Sequence, residues 1–132
     1  MRDVIEFLKE SPVGALATLD GGRARVRPFQ FMLEEAGALW FCTSSQKKVY
    51  SQLKASSEVE FLASKGTAWA RISGEVSFSD DLAMKERILA SSDLVRSRYL
   101  EASNPVFAVF KIEHGTAVMA DFSGRPPRTY AF

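Results

Sequence analysis

The chain has 132 residues, of which 46% are apolar and 25% charged, with a formal net charge of +1. Those values describe one ordinary globular domain over residues 1–132, long enough to bury a real core. Near-neutral charge with no basic stripe removes the electrostatic case for nucleic acid or acidic lipid.

Residues 2 to 9 put Val4, Ile5 and Leu8 on one helical face, and Ser11-Pro12 closes this opening helix. Its acidic residues interrupt any signal-peptide core, and no run of about 20 apolar residues could span a bilayer, so a cytoplasmic location and no membrane partner are expected. Val13 to Leu19 carries small residues and reads as a strand whose backbone something approaches closely. Asp20-Gly21-Gly22 is a hairpin turn. Arg23 to Leu33 alternates, with Arg25 and Arg27 on one face and Val26 on the other, and Phe29, Phe31 and Leu33 continue the period. Pro28 within that run marks an edge or a bulge. Glu34-Glu35-Ala36-Gly37 reads as the second turn.

The stretch from Leu39 to Leu53 passes from an apolar strand, Leu39 to Cys42, through Thr43, Ser44 and Ser45 into a helix with Val49 and Leu53 on one face. The junction combines hydroxyls, the free N–H groups of a helix start, and Lys47 and Lys48 in the first turn. Cations at the positive end of a helix dipole are unfavourable unless an anion joins them. A phosphate satisfies all three features; a Ser-capped helix with two solvated lysines is the plain alternative.

Val59 to Ala63 is a short strand, and Thr67 to Phe78 a longer one with Trp69, Arg71, Ser73, Glu75 and Ser77 on one face. Gly74 can bend it at a barrel corner. Ser79 with Asp80 and Asp81 reads as one helix start and Ser91-Ser92-Asp93 as another, with Asn104-Pro105 ending the helical region. Val106 to Ile112 and Thr116 to Ala120 form the last strands, followed by a polar tail. About six strands joined by tight turns, with helices inserted singly, suggest a small antiparallel barrel, an open sheet being the alternative.

The order of motifs, Arg-Val-Arg-Pro-Phe strand, Phe-Cys-Thr-Ser-Ser strand end, Lys-Lys-Val helix and Arg-Ile-Ser-Gly-Glu-Val strand, resembles the pyridoxamine 5'-phosphate oxidase-like family over nearly the whole chain. The resemblance implies a mainly β fold, a six-stranded antiparallel split β-barrel with peripheral helices. It also implies a homodimer holding FMN between its subunits and acting on a small molecule. Residue by residue, it assigns Arg25, Arg27, Lys47 and Lys48 to the phosphate, with Thr43 and Ser44 as supporting donors. Val26, Pro28, Phe29 and Phe41 would line the flavin ring, and Trp69 would cover it from the neighbouring subunit or else pack at a barrel end. The tail has Arg125 and Arg128 but no histidine, a departure from true pyridoxamine phosphate oxidases that argues against the vitamin as substrate. Small relatives include nitroimidazole reductases, general-stress flavoproteins, and members binding deazaflavin or haem. A flavin-, deazaflavin- or haem-binding module that turns nothing over is therefore the alternative to an oxidoreductase.

No residue stands out as a catalytic acid or base. The single histidine, His114, falls in an expected turn, and the single cysteine, Cys42, in an apolar strand. The first reads as exposed and the second as a structural thiol, with no internal disulfide and no metal site expected.

Overall fold

Strand β1 (Val13–Asp20) buries Leu16 and Thr18 on one face and leaves Ala15 and Ala17 on the other. That alternation recurs along β5 (Glu58–Lys65), which buries Val59, Phe61 and Ala63, whereas β7 (Phe107–Ile112) is buried on both faces, Phe110 and Ile112 toward one core and Phe107 and Val109 toward the other. The computed structural model describes residues 1–132. Its remaining strands are β2 (Arg23–Gln30), β3 (Leu33–Glu35), β4 (Ala38–Ser44), β6 (Ala68–Ser79), β8 (Thr116–Asp121) and β9 (Arg128–Ala131). Helices α1 (Arg2–Glu10), α2 (Lys48–Ala55), α3 (Leu82–Ala90) and α4 (Asp93–Tyr99) lie around them.

All pairings are antiparallel, and the hydrogen-bonded order is β2-β1-β5-β6-β7-β4-β3, with β8 joined to β6 and β9 to β8. The sheet is the expected antiparallel split barrel, not closed by a ladder, but it has nine strands where six were expected, because the chain also pairs in the short β3 and β9 and divides at the gap. The chain itself crosses the gap: the Phe31 N–H donates to the Pro12 carbonyl, the Met32 N–H to the Trp40 carbonyl. This change of partner divides the single strand expected over Arg23 to Leu33 into β2 and β3. It also places Glu34 and Glu35 in β3, leaving a two-residue turn. Ala36 and Gly37 have φ of 51° and 84°, and Gly21 and Gly22 have 57° and 83°, so both hairpins use the type I′ turn that suits strand twist. β2 is an edge strand, which is where Pro28 is tolerated.

β6 serves two parts of the barrel. Its first half pairs β5 and β8, and from Val76 onward it pairs β7. The handover falls at Gly74, where a Cβ would lie 2.8 Å from Ile112 Cγ2. The close approach expected along β1 is at Gly14, whose added Cβ would stand 2.1 Å from the Leu62 carbonyl oxygen.

The main core fills the barrel. Phe41 stacks on Phe110 at 5.5 Å between centroids and meets Phe61 edge-on at 5.1 Å, while α1 adds Val4 and Leu8 and α2 adds Val49 and Leu53. A second core, with Trp40, Phe107 and Val109, lies under α3 and α4. The cap of α3 is Asp81, accepting from the Ala83 N–H, rather than Ser79; Ser92 caps α4 as expected. The tail is only partly polar loop, because β9 closes on β8 and carries Tyr130 to α1. There the Tyr130 hydroxyl donates to Asp3 at 2.7 Å and Arg128 pairs with the same carboxylate at 2.7 Å.

Two outcomes test this arrangement. Gly14→Ala drives a methyl group into a backbone carbonyl and should destabilise the fold by roughly 3 kcal/mol or more in urea denaturation. Burial pushes the Asp3 carboxyl up, but Tyr130 and Arg128 together hold it below its ordinary 3.8. Its contribution to stability is thus full above pH 3.8 and is lost as pH falls through the lower folded-state value. Asp3→Asn should flatten that part of the acid dependence of the urea midpoint.

Candidate functional site

Alternation along β2 gives its two faces different duties. Arg25, Arg27 and Phe29 point to the barrel side, and Val26 and Pro28 point away from it. On the outer side, Val26 is 68% exposed and joins Ala15, Ala17, Leu62, Trp69 and Phe122 around an open hollow of about 750 Å³. Trp69 and Phe122 form its aromatic wall, with ring centroids 4.9 Å apart. Arg71 beside them is paired with Glu60 at 3.5 Å.

On the inner side, Arg27 is half-buried and fastened by three hydrogen bonds. Nη1 donates to the Leu16 carbonyl at 3.0 Å and to Thr18 Oγ1 at 2.8 Å, and Nη2 donates to Gln52 Oε1 at 2.7 Å. Thr18 Oγ1 in turn donates to Gln52 Oε1 at 2.7 Å. Arg27 therefore ties β2 to β1 and to α2. All three acceptors are neutral, and Arg27 takes part in none of the ion pairs. Burial alone pushes its guanidinium down from the ordinary value. Arg25, two residues earlier, is committed to Asp20 at 3.5 Å.

Helix α2 begins later than its hydroxyls suggest. Its N-cap is Lys47, without a side-chain cap bond, and Lys48 is the first helical residue. Neither lysine has a carboxylate partner, and no acidic residue lies in the first turn. Lys48 and Gln52 are four apart and so stack on one helical face, which puts Lys48 one turn from the residue that holds Arg27. Thr43 and Ser44 belong to β4. Ser44 Oγ accepts from the Gln46 N–H at 3.2 Å. Thr43, 3% exposed, has a buried Oγ1 with no partner, as has the indole Nε1 of Trp40.

The site residues expected from sequence thus separate into groups. Arg27 reaches α2 at Gln52, one turn from Lys48; Lys47 is the cap of that helix, and Thr43 and Ser44 end the strand before it. Val26 and Trp69 share the outer hollow, and Pro28 faces the same way. Phe29 and Phe41 face the core side: Phe29, partly buried, packs on Phe41 and Phe110, and Phe41 is 0% exposed with aromatic neighbours on several sides. Sequence reading missed Thr18, Gln52 and Phe122. Gln52 did leave a signal, a polar residue inside the apolar stripe of Val49 and Leu53, whereas Phe122 in an irregular tail left none.

His114 adopts φ 58° in the turn between β7 and β8, outside the hollow, and no cluster of potential ligands could hold a metal ion. No helix is long and apolar enough to cross a membrane. Burial pushes the Cys42 thiol up to about 12, against the opposing charges of Lys47 and Arg98. Native protein at pH 8 should therefore react with a thiol reagent on the order of a thousandfold more slowly than the unfolded chain.

The sequence model of the pyridoxamine 5'-phosphate oxidase family matches residues 2–118. No curated protein matches the chain in sequence. Among solved structures, a NimC/NimA family protein from Clostridium acetobutylicum is similar at 31% identity and a TM-score of 0.90, over 100% of this chain and 93% of the other. A pyridoxamine 5'-phosphate oxidase-related, FMN-binding protein from Nostoc punctiforme is similar in fold at 18% identity and a TM-score of 0.71, over 97% and 86% of the two chains. A haem-binding protein from Mycobacterium smegmatis shares the fold at 17% identity and a TM-score of 0.78, over 98% of this chain and 56% of that one.

Proposed function

The chain belongs to the pyridoxamine 5'-phosphate oxidase family, and we propose that it is an FMN-binding oxidoreductase, working as a homodimer on a small-molecule substrate. The observation that carries this reading is the meeting of two cation-bearing segments: Arg27 of β2 is hydrogen-bonded to Gln52, one turn along α2 from Lys48. Neither cation has an anion, and a dianionic phosphate ester is the partner that charge-assisted bonds from Arg and Lys favour. The unpartnered Thr43 hydroxyl, next to Ser44 at the end of β4, supplies a further donor of the kind such a ligand needs. The residues present fit the group.

Arg27, Lys47 and Lys48 would hold the phosphate, with Thr43 and Ser44 in support; Arg25 would join only by leaving Asp20. Val26, Pro28 and Trp69 would meet the ring. The free rim of edge strand β2 supports that role, since alternate backbone N–H and carbonyl groups along it lack a strand partner and can pair with a heterocycle edge. The exposed apolar side chains of Val13, Val26 and Leu62 on the same outer sheet face favour a second subunit there, which would bring its own Trp69 near the ring. Bound flavin supplies hydride or single-electron transfer, and the protein's part is to hold and exclude water from it.

The absorption spectrum of the protein as isolated is the direct test, with flavin bands expected. Colourless protein that also fails to take up added FMN would end the proposal, and a Soret band would move it to haem. In the flavin-binding case, Arg27→Ala combined with Lys48→Ala should weaken FMN by roughly 100-fold while changing riboflavin, which lacks the phosphate, by less than about threefold. Equal weakening of both ligands would refute the phosphate assignment.

A further inference from the structure

Arg27 has five N–H donors, and the three bonds it makes identify which are left. Both hydrogens of Nη1 are taken, by the Leu16 carbonyl and by Thr18 Oγ1. One hydrogen of Nη2 goes to Gln52 Oε1. Because Thr18 Oγ1 and Gln52 Oε1 are only 2.7 Å apart, they occupy the Nη1–Nη2 end of the guanidinium side by side. The Nε–H and the second Nη2–H remain, and these form the flat side-on fork that matches two oxygens of a carboxylate or phosphate.

The three polar groups also fix one another. The Thr18 hydroxyl accepts from Arg27 and gives its own hydrogen to Gln52 Oε1, an oxygen that can only accept. Gln52 Oε1 accepts from both neighbours, so its amide has one favoured orientation; turned over, its NH₂ would face the Arg27 Nη2 donor, which cannot accept. Thr18 and Gln52 are 3% and 9% exposed, and each comes from an element packed into the core. The ring has no slack. A network serving only to join β1, β2 and α2 would not require a cation, whose burial without a counter-charge is costly.

We propose that Gln52 and Thr18 are positioning residues that hold the guanidinium of Arg27 by one end, so that its side-on fork is presented to the phosphate ester of the bound flavin nucleotide. This rests on the phosphate reading above and deepens it. Two neutral acceptors keep the arginine in place without cancelling its charge, which a carboxylate at the position of Gln52 would do.

The test is the ratio of FMN to riboflavin affinity, measured by flavin fluorescence on apoprotein at low and moderate salt. Wild type should prefer FMN, and Arg27→Ala should lose most of that preference. Gln52→Leu and Thr18→Val should each lower the ratio by roughly tenfold, with riboflavin affinity unchanged as the control for an intact fold. Gln52→Glu keeps both hydrogen bonds and the shape, yet sets an anion against Arg27; it should lower the ratio at least as far and flatten its salt dependence. The inference is overturned alone if Arg27→Ala loses the preference while all three Gln52 and Thr18 variants stay within twofold of wild type; if Arg27→Ala keeps the preference, the inference falls together with the assignment of Arg27 to the phosphate. A wild type that binds riboflavin as well as FMN, or binds neither, overturns it together with the reading it rests on.

Discussion

One guanidinium joins three elements of this protein without meeting a carboxylate. Arg27 reaches from the edge strand β2 to a carbonyl of β1 and to a side chain of α2. The cost of placing a cation there is offset only in part by neutral acceptors. A residual positive charge is therefore fixed against α2 at Gln52, one turn from a helix start that carries two more cations and no acidic residue. Around that point the barrel is a packed scaffold, its centre filled by the aromatic rings of Phe41, Phe61 and Phe110.

The edge strand has a second use for its exposed position. Period-two alternation turns Val26 outward into an apolar hollow and Arg27 inward to α2 within two consecutive residues. The rim between them carries unpaired backbone groups. A ligand with an anionic end and a flat heterocyclic end suits such a strand. The Trp69 and Phe122 rings give the hollow an aromatic wall.

Glycines at close approaches permit this geometry. At Gly14 the backbone of β1 lies against a Leu62 carbonyl, and at Gly74 the long strand β6 passes from one set of partners to another. A side chain at Gly14 would push against the Leu62 carbonyl and displace β1, the strand on which Leu16 and Thr18 anchor Arg27. The terminal clamp of Asp3, Tyr130 and Arg128 secures the opposite region, where α1 closes over the barrel against β9.

Much of the fold was legible in the sequence because it depends on local rules. Alternation marked the main strands, paired glycines marked the first hairpin, and Pro28 marked an edge strand, as β2 is. Helix α2 and its two lysines followed from the Val49 and Leu53 spacing, though not its cap at Lys47. The barrel path, β3, β9 and the Asp81 cap were not legible, since each depends on which backbone groups find partners in space. The same limit applied to the site. Residue types nominated Phe29 and Phe41 alongside Val26, but only packing showed that the first two face the core side and the third is open. Sequence also placed Arg25 and Arg27 on one face, yet it could not separate the arginine held by Asp20 from the one held by Gln52. Charge and periodicity are properties of a segment; whether a charge is paired, and what holds it, is decided by residues that the fold brings in from other elements.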